Sequence, residues 1–160
     1  MLHIDIICVG KIKEQYLKDA VAEYSKRLSK YCSLTITEIS DEQVPNNLND
    51  KLAQNIKQIE SNHILSHIKR DSYVICLDLK GKQFSSEEFS KKIENIALND
   101  SSNITFIIGG TLGMSDELLK KSNELICFSK MTFPHQLMQM ILLEQIYRSY
   151  RIINHEPYHK

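Results

Sequence analysis

A chain of 160 residues, 42% apolar and 25% charged, is long enough to bury a core without a disulfide framework or structural metal, so one domain spanning residues 1–160 is expected. No apolar run approaches the roughly 18 residues of a membrane span, and the opening MLHIDIICVGKIK lacks the basic start and cleavage site of an export signal, so a cytoplasmic protein is expected. Twenty basic side chains balance twenty acidic ones, so the whole molecule offers no field for nucleic acid and any RNA contact must come from a local patch.

Leu2 to Val9 is an apolar, β-branched run that predicts a first strand. Lys11, Lys13 and Lys18 surround the segment after it and read as a solvated face. Leu17, Ala20, Val21, Tyr24 and Leu28 then recur at helical spacing. A second strand is predicted over Leu34 to Ile39, and the polar SDEQVPNNLND that follows reads as an exposed loop. A second helix is predicted with Leu52, Ile56, Ile59 and Leu65 facing inward. His63 and His67 stand four apart on it, but no third ligand has a recognisable spacing, so no metal is expected.

Tyr73 to Leu79 predicts a third strand leading into LDLKGK. Ser85 followed by Glu88 forms a capping box for a helix carrying Phe89, Ile93 and Ile96. A fourth strand over Ile104 to Ile108 runs into IIGGTLGMSDE, where Ser115 with Asp116 and Glu117 opens a fourth helix. Leu125 to Phe128 predicts the fifth strand, and a last helix runs from about His135 to Ile153. This alternation argues for an α/β fold, a mainly parallel sheet with helices on both faces. Cys8, Cys32, Cys76 and Cys127 contain no C-x-x-C pair and read as buried free thiols.

In doubly wound sheets ligands bind beyond the carboxyl ends of the strands. Three of the five glycines, Gly109, Gly110 and Gly113, fall directly after the fourth strand and before a capped helix. Their G-G-x-x-G spacing is neither the dinucleotide fingerprint nor a phosphate-binding loop, and a tight structural turn explains it equally well. The stretch FSKMTFPHQ, Phe128 to Gln136, carries more apolar surface than a solvated turn should, so it requires a ligand or a burial partner. The last helix is apolar over most of its circumference and must be buried on two sides, for which a second copy of the chain is the simplest partner. The tail NHEPYHK, with Arg148 and Arg151, fits either cations at a helix C-terminus or a phosphate-contacting arm with a tyrosine for stacking.

IIGG-x-x-G, FSKMTFPHQ, LLEQIYRSYRII and a terminal EPYHK occur here in order, together with VGKIKEQY and LDLKGK. Over nearly its whole length the chain resembles the small bacterial RlmH (YbeA-type) branch of the SPOUT methyltransferases. It departs in the glycine loop, where Thr111-Leu112 and Met114 replace the small or acidic residues common in relatives. The resemblance implies a C-terminal trefoil knot, a homodimer and S-adenosylmethionine bound by the three loops, with no metal, DNA or membrane involved. Cofactor-site residues carried over are Leu77, Gly109, Gly110, Gly113, Phe128, Ser129, Lys130, Met131, Thr132 and Phe133, with Pro134 shaping the last loop. The implied activity is methylation of N3 of a pseudouridine in helix 69 of 23S rRNA on the assembled ribosome. For that activity, the groups expected on chemical grounds are Tyr158 and His159 with Arg148 or Arg151, acting across the dimer, with His135 the second candidate base. The alternative reading is a non-catalytic nucleotide- or RNA-binding module using the same loops.

Overall fold

The central apolar runs become strands buried on both faces, because their side chains alternate between two separate cores. In the computed structural model, which describes residues 1–160, β1 spans His3–Val9. Its Ile4, Ile6 and Cys8 enter one core while Ile7 and Val9 enter the other. β4, Asn103–Ile108, divides likewise, with Ile104, Phe106 and Ile108 on the first side and Ile107 on the second. With β2 (Ser33–Ile39), β3 (Tyr73–Lys82) and β5 (Glu124–Ile126) they form an all-parallel five-stranded sheet in the order β2-β1-β4-β3-β5.

Helices cover both faces, as the strand and helix alternation predicts. The first core takes Leu28 from α1 (Gln15–Leu28), Phe89, Ile93 and Ile96 from α3 (Ser86–Asn99), and Leu142, Leu143, Ile146 and Tyr150 from α5 (His135–Ile153). The second takes Ile64 from α2 (Asp50–His67) and Leu118 from α4 (Asp116–Lys121). The Ser85–Glu88 capping box closes reciprocally at 3.1 and 2.9 Å. No helix is long and apolar enough to cross a membrane. All four cysteines are free and buried.

Two departures from the expected elements matter for the site. The inward face of α2 is built from Ile56, Glu60, Ser61 and Ile64, while Leu52 and Ile59 point to solvent. Two polar residues therefore stand where apolar periodicity placed aliphatic ones. β3 also runs on to Lys82, with a detour: Leu77 and Lys82 both register on Ile126, and the residues between them leave the ladder and return. At Gly81 an added Cβ would lie 2.6 Å from the backbone of Leu125 and Ile126, so this return has room for glycine alone.

Candidate cofactor-binding site

Parallel strands bring their carboxyl ends to one edge, and here the detour within β3 and the loops after β4 and β5 enclose a cavity of about 750 Å³. That size lies within the roughly 300–1,000 Å³ of small-molecule sites. Of the expected cofactor residues, Leu77, Gly109, Gly110, Gly113, Phe128, Ser129, Met131, Thr132 and Phe133 line it, with Pro134 and His135 at the start of α5. Lys130 is the exception: its side chain is exposed and forms no part of the wall, because the turn directs it outward.

The glycine loop is a tight turn closed by Gly113 N–H donating to the Gly110 carbonyl at 3.0 Å. Gly113 has φ +86°, in the left-handed region, and nothing lies within 4 Å of where its Cβ would stand. At its glycines, beside Thr111 and Leu112, the loop thus presents backbone to the cavity, the form of wall that lets main-chain amides approach a ligand. It ends at Ser115, which caps α4 by accepting from Leu118 N–H at 3.2 Å. The loop after β5 is anchored from within: the Phe128 ring packs edge-on to Phe89 at 5.7 Å, and Ser129 Oγ accepts from Met131 N–H at 3.0 Å. Met131 itself is 74% exposed, an apolar side chain left at the cavity mouth.

Sequence reasoning missed the contribution of α2. Lys57 lines the cavity, Ser61 Oγ accepts from Ser115 N–H at 2.9 Å, and the Glu60 carboxylate stands behind Gly110. Asp78 and Asp116 add two carboxylates to the lining. His63 and His67 remain on the exposed face of α2, the His67 Nδ1 lying 2.8 Å from the His63 carbonyl oxygen.

The expected catalytic groups divide between the two ends of α5. His135 is in the cavity wall, against Gly10 at the end of β1. Arg148, Tyr158 and His159 gather at the far end, about 20 Å along the helix at 1.5 Å per residue. There Arg148 pairs with Glu144 at 2.6 Å, lies 4.7 Å from the Tyr158 ring centroid, and donates to His159 Nδ1 at 3.1 Å. His159 Nε2 meets Glu87 at 2.5 Å. A guanidinium can only donate, so Nδ1 accepts and Nε2 keeps its hydrogen for the carboxylate. Burial, then the Glu144 charge, pushes the Tyr158 phenol up to about 12, so it stays protonated at neutral pH. Arg151 does not join this group: it is taken by Glu156 at 2.6 Å and by the Pro157 carbonyl at 2.9 Å, which pins the tail to α5.

Comparison with known proteins bears on the family and the fold. The family described as predicted SPOUT methyltransferase matches residues 2–159. A protein of Clostridium botulinum (strain Eklund 17B / Type B) named ribosomal RNA large subunit methyltransferase H is 59% identical over 159 residues, which is 99% of this chain and all of the relative. One of Clostridium perfringens (strain SM101 / Type A), named ribosomal RNA large subunit methyltransferase H 1, is 55% identical over the same span. Among solved structures, a probable methylase family protein from Haemophilus influenzae Rd KW20 shares the fold at a TM-score of 0.53 and 13% identity, covering 98% of this chain and 70% of that one. With a full-length family match and relatives above half identity over their whole length, this chain belongs to the SPOUT methyltransferase family.

Proposed function

We propose that the cavity binds S-adenosylmethionine and that the protein, as a homodimer, methylates N3 of a pseudouridine in helix 69 of 23S rRNA on the assembled ribosome. The observation that carries the reading is the convergence of the β3 detour and the loops after β4 and β5 on one cavity, one of them a glycine turn, in a chain with near-full-length relatives named for ribosomal RNA methylation.

The residues present fit the donor. Its adenosyl group matches a wall of Leu77, Phe128, Phe133 and glycine backbone, and its charged amino-acid end matches a rim holding Lys57, Asp78 and Asp116. Bound there, S-adenosylmethionine supplies an already activated methyl group. The task left to the chain is to hold the acceptor nitrogen in line with that methyl and to exclude water. The same reading includes a knotted C-terminal segment, and what supports it is the detour between Leu77 and Lys82, both of which register on Ile126.

Within one chain the tail lies too far along α5 to reach its own cavity, so the reading assigns it to the partner's cavity across the dimer. The half-buried Met140, Ile141 and Ile152 on α5 supply apolar surface for that pairing. In this arrangement Arg148 orients the target and stabilises the negative charge left when N3 loses its proton. Its pairing with His159 favours it over Arg151, which the tail itself occupies. His159 Nδ1 takes the N3 proton once Arg148 turns from it to the RNA, a role for which a general base contributes around 10²- to 10⁴-fold. Tyr158 keeps its own proton and offers a ring for stacking.

Calorimetry with S-adenosylmethionine tests the binding step, and labelled methyl transfer to ribosomes lacking the modification tests the reaction. Binding without transfer would mark a nucleotide-binding module instead. Methylation at the wild-type rate after removal of Tyr158 to Lys160 would sink the role given to the tail.

A further inference from the structure

Glu60 and Ser61 are neighbours on α2 and among the most deeply buried polar residues, at 3% and 0% exposure. The methyl-transfer reading uses neither. Ser61 holds the far end of the glycine loop through Ser115. Glu60 meets the near end: one carboxylate oxygen, Oε2, accepts from Glu42 N–H at 2.9 Å, in the loop between β2 and α2. The other, Oε1, has no hydrogen-bond partner and stands 2.8 Å from the place of a Cβ on Gly110. A buried carboxylate oxygen without a partner is costly, and where a fold keeps one it calls for a reason.

We infer that Glu60 is a positioning residue for the methyl donor, holding the Gly109–Gly110 end of the glycine loop against α2 while Ser61 holds the Ser115 end. The inference rests on reading the cavity as the donor site. Its physical content is preorganisation. Removing the Glu60 side chain empties the space behind Gly110 and frees the Glu42 N–H, so both loops loosen together. A donor that must then select the competent loop from a wider ensemble binds more weakly in proportion to that fraction. Lys57, one turn earlier on α2, lines the cavity, so the helix that braces the loop also faces the ligand.

The test is calorimetric titration of S-adenosylmethionine into the full chain and its Glu60→Ala and Glu60→Gln variants, with hydrogen exchange followed at Gly110 to Met114. Glu60→Ala is expected to raise Kd about tenfold and to speed exchange in the loop, whereas Glu60→Gln, which keeps an acceptor for Glu42, stays within about threefold of wild type. An unchanged Kd in a folded Glu60→Ala protein overturns the inference, even if its melting temperature falls. If Glu60→Ala does not fold, Glu60→Asp, one methylene shorter, is expected to raise Kd, and wild-type affinity there overturns it equally. A second arm approaches from the loop. Gly110→Ala presses its methyl on the Glu60 carboxylate and on Val9, and combining it with Glu60→Ala should cost less affinity than the two changes summed. Additive losses contradict the contact. Wild-type protein that binds no S-adenosylmethionine sinks the donor reading and this inference with it, while binding that survives Glu60→Ala unchanged sinks the inference alone.

Discussion

His159 Nδ1 accepts a hydrogen bond from the Arg148 guanidinium at 3.1 Å, so the tail histidine and the helix arginine form one unit at the end of α5 remote from the cavity. In the proposed function another copy of the chain delivers that unit to the cavity. A mixture of two inactive variants tests this: one lacking Tyr158 to Lys160, the other unable to bind donor through Gly109→Trp. Mixed dimers carry one intact cavity facing one intact tail, so activity should return on mixing and re-association. A mixture that stays inactive, though mass measurements show mixed dimers, places tail and cavity in the same chain.

The loop after β5 is expected to hold its ligand mainly through the main chain. Ser129→Ala loses the bond to Met131 N–H, worth about 1 kcal/mol or a few-fold in affinity. Gly109→Ala brings a methyl within 2.9 Å of the buried Met114 side chain and moves the loop itself, for which about tenfold or more is expected. The same ranking puts Pro134→Ala above Thr132→Ala. Calorimetric Kd values across these four variants provide the check, and equal tolerance at all of them contradicts backbone recognition.

Gly81 has no cavity contact, yet its replacement should be among the most damaging in the chain. The obstacle is backbone of Leu125 and Ile126 at 2.6 Å, which cannot rotate away as a flexible side chain can. Gly81→Ala is expected to cost about 2–3 kcal/mol or more in urea unfolding. A loss near zero would show that the β3 detour has slack.

Most of the fold is legible in the residues because each element carries its own signal. The Ser85–Glu88 box and the Ser115 cap mark helix starts through local hydrogen bonds, and Pro134 marks the start of α5. The glycine loop and FSKMTFPHQ are visible as misfits, a bare turn and an apolar turn, and both line the cavity. What escapes is whatever depends on packing between elements. Apolar spacing on α2 selects Leu52 and Ile59, which are exposed, because the face turned to the sheet must brace a loop and does so with Glu60 and Ser61. The return of Gly81 to β5 has no periodicity to reveal it. The distance between His135 and His159 is likewise set by how the tail folds back on α5.

Burial is the first cause that raises the Glu60 pKa above its ordinary value of 4.5; the Glu42 N–H opposes it, and the Asp41 and Glu42 carboxylates add to it. A carboxyl whose folded value is raised binds its proton more tightly in the folded state. The stability this confers is complete below pH 4.5 and is lost as pH rises through the raised value. Melting of wild type and Glu60→Gln should therefore diverge over that window, wild type losing ground with rising pH, and run parallel above it. A constant difference from about pH 4 to about pH 8 means that Glu60 titrates normally.

Mass spectrometry of helix 69, from ribosomes lacking the modification and incubated with the protein and S-adenosylmethionine, reads the proposed reaction at its product. One added methyl on the pseudouridine base is predicted, absent when the donor is omitted, with helix 69 carrying unmodified uridine as the control substrate. Helix 69 left unmethylated by protein that binds the donor in calorimetry would contradict the assignment.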